Sequence, residues 1–87
     1  MMIQQISEEE TEIMRQAYMY LAHHCNPPPN QHPEAVEWWT QATREIAEID
    51  SAWNGHKLMR EVLIALATYI EDKARQATED ANDVQEF

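Results

Sequence analysis

Residues 62–70 read Val-Leu-Ile-Ala-Leu-Ala-Thr-Tyr-Ile, nine consecutive positions without a charged side chain. A helix that is apolar on nearly all sides is usually central or covered by more than one partner. We predict a helix from about His56 to Gln76 around this segment. Its core-facing residues recur at spacings of three and four: Met59, Val62, Leu63, Leu66, Tyr69 and Ile70.

Ile64 is the exception to this pattern. It lies among Lys57, Glu61 and Thr68 on the polar side of the predicted helix. Two interpretations stay open: a second partner surface, or a solitary exposed isoleucine of the kind that most protein surfaces carry.

A second helix is predicted over residues 33–53, immediately before this one. Pro33 suits the first position of a helix, where the missing amide hydrogen costs nothing. Asn54-Gly55 is a strong stop signal, because glycine fits the left-handed position just past a helix end. The apolar stripe of this helix consists of Ala35, Trp39, Ala42, Ile46, Ile49 and Trp53.

A first helix is predicted over residues 7–25. Ser7 and Glu10 have the spacing of a capping box, in which each side chain bonds to the backbone amide of the other residue. Asn26 followed by three prolines ends the helix, because a residue before proline is pushed out of α geometry. The predicted core stripe is Ile13, Met14, Ala17, Tyr18, Leu21 and Cys25.

Length and composition support one all-α domain. The chain has 87 residues and a single glycine, and three helices with short connections predict a small antiparallel three-helix bundle over residues 1–76. Residues 77–87 are polar and acidic, and we predict a frayed or disordered tail there. A chain this short buries a small core, so we expect self-association, as a dimer in the first place, to add burial.

The net charge of −10 restricts the partners. We expect binding neither to nucleic acid nor to an anionic membrane, since both repel an acidic chain. An acidic mini-protein could instead mimic nucleic acid and inhibit a nucleic-acid-binding or defence protein through its basic surface. The chain has no run of about 18 apolar residues and no secretion-signal pattern, and its one cysteine cannot close an internal disulfide. We therefore predict a soluble, cytoplasmic protein.

His23, His24, Cys25 and His32 concentrate metal-ligating side chains around the proline-rich connection. Four such ligands are enough for a structural zinc site. Successive helical residues diverge by about 100°, however, so the first three cannot chelate one ion while the helix persists. We predict no metal site and keep His24, Cys25 and His32 as the candidates for an alternative, metal-binding function. We expect no catalytic cysteine either, because no histidine is placed to activate it.

The sequence also argues against an enzyme. Glu34 with Glu37, and Glu45 with Glu48, have the Glu-x-x-Glu spacing with which all-α nucleotide pyrophosphohydrolases hold magnesium. These glutamates fall mostly on the polar face of the second helix, and the third helix has Glu61-Val-Leu-Ile where an answering acidic pair is needed. A single glycine also excludes glycine-rich phosphate loops.

The sequence thus predicts a non-enzymatic helical protein, without a cofactor, that acts through protein–protein contacts. The candidate interaction surface consists of Trp38, at the margin of the second helix's apolar stripe, and Ile64. Trp39 and Trp53 fall on the core stripe and are expected to be buried.

Overall fold

A computed structural model shows three helices, and it describes the backbone of residues 4–85 and the side chains of residues 4–81. Helix α1 spans Glu8–His24, α2 spans Ala35–Ala52 and α3 spans Lys57–Gln85. No strand occurs within residues 4–85. The predicted all-α three-helix fold is confirmed.

Hydrogen bonds between the helices show their relative directions. The indole Nε1–H of Trp53 donates to Gln16 Oε1 at 3.0 Å, and the Tyr20 hydroxyl donates to the Ala42 carbonyl at 3.1 Å. Residues further along α1 therefore meet residues earlier in α2, so these two helices are antiparallel. The contacts of Glu9 with His56, and of Cys25 with Lys73, show that α1 and α3 run parallel.

The centre of the bundle is small. Ile13, Met59 and Leu63 form its buried cluster, and Tyr20 and Ile70 are the other large side chains buried almost completely. Four partly buried apolar residues pack against the cluster: Ile46, Ile49, Trp53 and Leu58. The predicted stripes of α2 and α3 thus supply most of this core.

The predicted stripe of α1 is wrong at two positions. Met14 is 52% exposed and Tyr18 is 70% exposed, whereas Tyr20 and His24 are buried. Rings with a polar tip can be buried once that tip finds a partner, and both Tyr20 and His24 find one on α2. The apolar arc of α1 is also wider than its two neighbours cover. On α3, Tyr69 was likewise assigned to the core and is 52% exposed.

Helix α2 begins at Ala35, two residues later than predicted. The backbone before it forms successive turns, in which His32 N–H donates to Pro29 O at 2.9 Å and Ala35 N–H donates to His32 O at 3.1 Å. Pro33 lies inside these turns and not at the first helical position.

The two local end signals that we identified behave as predicted. Ser7 accepts from Glu10 N–H at 3.0 Å, and its own N–H donates to Glu10 Oε1 at 3.1 Å, which completes the capping box. Asn54 and Gly55 both adopt left-handed backbone, with φ of 52° and 70°. They end α2 and turn the chain into α3.

Helix α3 ends later than predicted, at Gln85 and not at Gln76. Ala74 is buried and Ala77 and Ala81 are half-buried, so a face of small side chains continues past the predicted end. The Thr78 hydroxyl also accepts from Asn30 N–H at 2.9 Å, which ties this part of α3 to the proline-rich connection. The predicted tail is therefore helical through Gln85, and residues 86 and 87 lie outside the described part of the chain.

Candidate functional site

The histidine-rich segment at the end of α1 forms a contact with α2. His24 Nε2 lies 2.6 Å from Glu45 Oε2, and His23 Nδ1 lies 3.6 Å from the other oxygen of the same carboxylate. His24 is buried, whereas the His23 side chain is exposed. Glu45 therefore joins the end of α1 to the middle of α2.

The aromatic rings around His24 explain its burial. The Tyr20 and Trp38 rings are centred 4.8 Å and 5.5 Å from the His24 ring, and Trp38 in turn meets Trp39 edge-on at 4.9 Å. Burial, together with the nearby Glu45 carboxylate, raises the pKa of Tyr20 to about 12. A neutral phenol that donates to a backbone carbonyl is the form this environment stabilises.

The three candidate metal ligands have separate partners. His24 contacts Glu45, Cys25 Sγ lies 4.0 Å from the Ala22 carbonyl, and His32 Nδ1 accepts from Glu34 N–H at 3.1 Å. The Cys25 carbonyl accepts from Lys73 Nζ. Among the residues whose side chains are described, no three His, Cys, Asp or Glu residues are grouped so as to hold an ion.

The paired glutamates of α2 do not form a common centre. Glu34, Glu37 and Glu48 are exposed, and Glu45 is half-buried against His24. Glu61 on α3 is exposed as well. The arrangement offers no enclosed set of carboxylates of the kind that binds magnesium in a helical bundle.

Several acidic side chains on the surface are paired with arginine. Glu12 pairs with Arg15, Asp50 with Arg60, and Asp72 with Arg75. The hydrogen bonds from Arg15 and Gln16 lower the pKa of Glu12 to about 2. These pairs reduce the continuity of negative charge that a nucleic-acid mimic would present.

A shallow, open apolar groove runs along α2. One part has a volume of about 720 Å³ and is lined mainly by α2, an adjoining part of about 370 Å³ borders α3, and Ala47 lines both. We call the whole the α2 groove. Its other lining residues are Asn30, Ala35, Val36, Trp39, Thr40, Thr43 and Arg44 in the first part, and Ile46, Asp50, Arg60, Leu63, Ile64 and Ala67 in the second.

The two residues of the predicted interaction surface lie on different sides of α2. Ile64 is 66% exposed and lines the α2 groove. Trp38 is half-buried on the side facing α1, where it contacts His24 and lines a hollow of about 490 Å³ with Pro28 and Gln41. They do not form one surface.

A second apolar surface was missed because its members were assigned to the core. Around α1, positions 14, 18, 21 and 25 lie about 80–140° from Ile13. Gln16 and His23, which contact α2, lie about 60–80° from Ile13 in the opposite sense. This side of α1 is therefore turned away from α2.

Helix α3 continues the same surface. Lys73 bonds to the Cys25 carbonyl and lies over the Tyr69 ring, 5.5 Å from its centroid. Val62, Leu66 and Tyr69 share the Lys73 side of α3, within about 80° of Met59, whereas Arg60 and Ile64 on the α2 side are turned the other way. We call this surface the α1–α3 face; it consists of Met14, Tyr18, Leu21, Cys25, Val62, Leu66 and Tyr69.

No protein-family model, curated protein or solved structure matches the chain at a significant level. Within the described residues, none of the helices combines the length and the hydropathy of a membrane-crossing segment. The α2 groove and the α1–α3 face are the two largest apolar surface features described above.

Proposed function

We propose that this chain works by binding protein without catalysing a reaction, and that its first partner is a second copy of itself in a homodimer. The observation that carries the proposal is how much surface one copy leaves uncovered. Its radius of gyration is 16.0 Å, against about 12 Å for a compact chain of this length. The molecule measures 55 × 33 × 17 Å, so it is thin in one direction.

The accessible surface supports the same proposal. It amounts to 6723 Å², whereas a monomer of 10.2 kDa is expected to expose roughly 5300 Å². Part of the excess belongs to exposed apolar side chains, such as Tyr18 and Val36. A standard protein–protein interface covers about 800 Å² on each partner. One such interface would remove more than half of the excess.

The chemistry of the uncovered surface suits a protein partner. Its large exposed side chains include Met14, Tyr18, Ile64 and Tyr69, and methionine and aromatic residues are enriched in protein interfaces. The single thiol, Cys25, is free, which suits a reducing compartment, and we propose the cytoplasm as the location.

Light scattering on the untagged chain tests this function. At concentrations from 10 to about 200 µM, a range that covers interfaces of modest size, we expect the mass to rise to twice that of one chain. The mass of a single chain throughout this range would refute the proposal. Native mass spectrometry of the same sample would report the subunit number and any bound ion together.

A further inference from the structure

We infer that the two copies associate through the α1–α3 face, each α1–α3 pair covering that of the other across a two-fold axis. This inference rests on the proposed function and adds to it the surface that is used. The residues of this face were predicted from the sequence to belong to the core. In the dimer they are buried as well, but by the second copy.

Charge is the first argument, because each copy carries −10. Two such chains approach closely only where carboxylates are absent from the contact. Residues 13–25 of α1 contain no acid, and residues 62–70 of α3 contain no charged residue. The two stretches lie side by side, since α1 and α3 run parallel with Ile13 near Met59 and Cys25 near Lys73. The α1–α3 face is built from them.

Helix direction is the second argument. Because α1 and α3 are parallel, a two-fold axis perpendicular to them sets both helices of one copy antiparallel to both helices of the other. Antiparallel packing opposes the helix dipoles favourably and gives the arrangement of a four-helix bundle. The same residues meet on both sides of such an axis, so one face supplies the whole contact.

The residues that line the α2 groove distinguish it from this face. Arg44, Asp50 and Arg60 are among them. The centres of protein interfaces are depleted in charged residues, and a two-fold contact through the groove would bring these side chains of both copies into the contact. The α2 groove is thus less suited to a second copy than the α1–α3 face.

The size of the face indicates the strength of the dimer. Tyr18, Tyr69 and Met14 together expose on the order of 350 Å², taking roughly 200 Å² for a fully exposed side chain of this size. The half-buried members and the surrounding rim must supply the rest of the roughly 800 Å² per partner. We therefore expect a dissociation constant in the micromolar range and not a permanent dimer.

Two pairs of variants test the inference by sedimentation equilibrium. Tyr18→Glu and Tyr69→Glu each place a carboxylate in the acid-free face, and each should raise the dissociation constant at least tenfold. Val36→Glu and Ile64→Glu are the matched controls in the α2 groove. They start from comparable exposure, 80% and 66%, and bring the same net charge of −11 by adding one acid to −10. They should change the dissociation constant less than about threefold.

All four positions are exposed in one copy, so the variants should keep the helical circular dichroism and the melting temperature of the monomer within a few degrees. A dimeric parent whose Tyr18→Glu and Tyr69→Glu variants stay dimeric overturns the inference and leaves the proposed function standing. Dissociation by the Val36→Glu and Ile64→Glu pair overturns it as well. A parent that is monomeric throughout removes both the function and the face.

Cys25 gives a second measurement on the unaltered chain, because the only thiol lies at the end of the α1–α3 face. Its rate of reaction with a small thiol reagent should fall severalfold as the protein concentration rises through the dissociation constant. A rate that does not change while the mass doubles would contradict the proposed face.

Discussion

Tyr20 is buried and donates its hydroxyl hydrogen to the Ala42 carbonyl, with Glu45 nearby. Its pKa is about 12 in the folded chain and about 10 when unfolded, so the folded state holds a proton that the unfolded state loses between these values. The contribution of Tyr20 to stability is therefore constant below pH 10 and falls as the pH rises from 10 to 12. The fall attributable to this group is on the order of 2 kcal/mol.

Tyr20→Phe should remove that alkaline fall and cost about 1 kcal/mol at pH 7, because it deletes one buried hydrogen bond. Urea unfolding at pH 7 and at several values between pH 9 and 11.5 measures both effects. Tyr18→Phe, on the exposed side of the same helix, is the control and should retain the parent's alkaline fall. An unchanged pH dependence in Tyr20→Phe would contradict this account.

His24 links α1 to α2 through both its ring and its Nε2 atom. His24→Ala should lower the free energy of unfolding by about 2 to 3 kcal/mol at pH 7, because it removes packing against Tyr20 and Trp38 and the contact with Glu45. His23→Ala removes an exposed imidazole, and its effect should stay within about 0.5 kcal/mol. Chemical denaturation measures both changes. Equal losses of unfolding free energy in the two variants would contradict the view that the burial of His24 makes it the more important of the two histidines.

At the scale of the element, the start of α1 depends on the Ser7 capping box. Ser7→Ala removes the acceptor for Glu10 N–H and should cost about 1 kcal/mol of stability. The bond from Ser7 N–H also lowers the pKa of Glu10, so the box weakens as the pH falls and that carboxylate is protonated. Ser51→Ala, at an exposed position near the end of α2, is the control and should change stability by less than about 0.5 kcal/mol. Thermal unfolding at pH 7 measures both.

The helix ends differ in how far the sequence could predict them. The capping box and the Asn54-Gly55 stop act within a few residues of chain, and both were predicted correctly. The far end of α3 was not, because the partner of Thr78 is Asn30, 48 residues away in the sequence. The start of α2 was also predicted wrongly, although it is set by local turns through His32, because the position of a proline alone does not reveal these turns.

The exposure of the residues on the candidate surfaces could also be predicted only in part. Exposure of Ile64 could be predicted from the polar neighbours on its side of α3. Exposure of Tyr18 and Tyr69 could not, because helical spacing places a residue on an apolar arc and does not say which part of that arc a neighbour covers. The rotation of α1 was decided by the polar tips of Tyr20 and His24, whose partners lie on α2.

At the scale of the whole molecule, the effect of salt on binding distinguishes a homodimer from a complex with a basic protein. Two copies of a −10 chain repel each other, so added salt should strengthen the homodimer by screening that repulsion. Binding of an acidic mimic to a basic protein should weaken instead. We expect the dimer dissociation constant to fall severalfold between 20 and about 300 mM NaCl. A rise over this range, measured by sedimentation, would mean that attraction between opposite charges holds the dimer.

The parallel arrangement of α1 and α3 also places the start of α1 far from the end of α3. Glu9 lies beside His56 at the start of α3, and α3 then runs for 29 residues, about 42 Å, to Gln85. Two probes, one attached before α1 and one at the end of α3, would therefore be held well apart. A peptide that joined the end of α3 to the start of α1 would need at least about a dozen extended residues, at about 3.5 Å each.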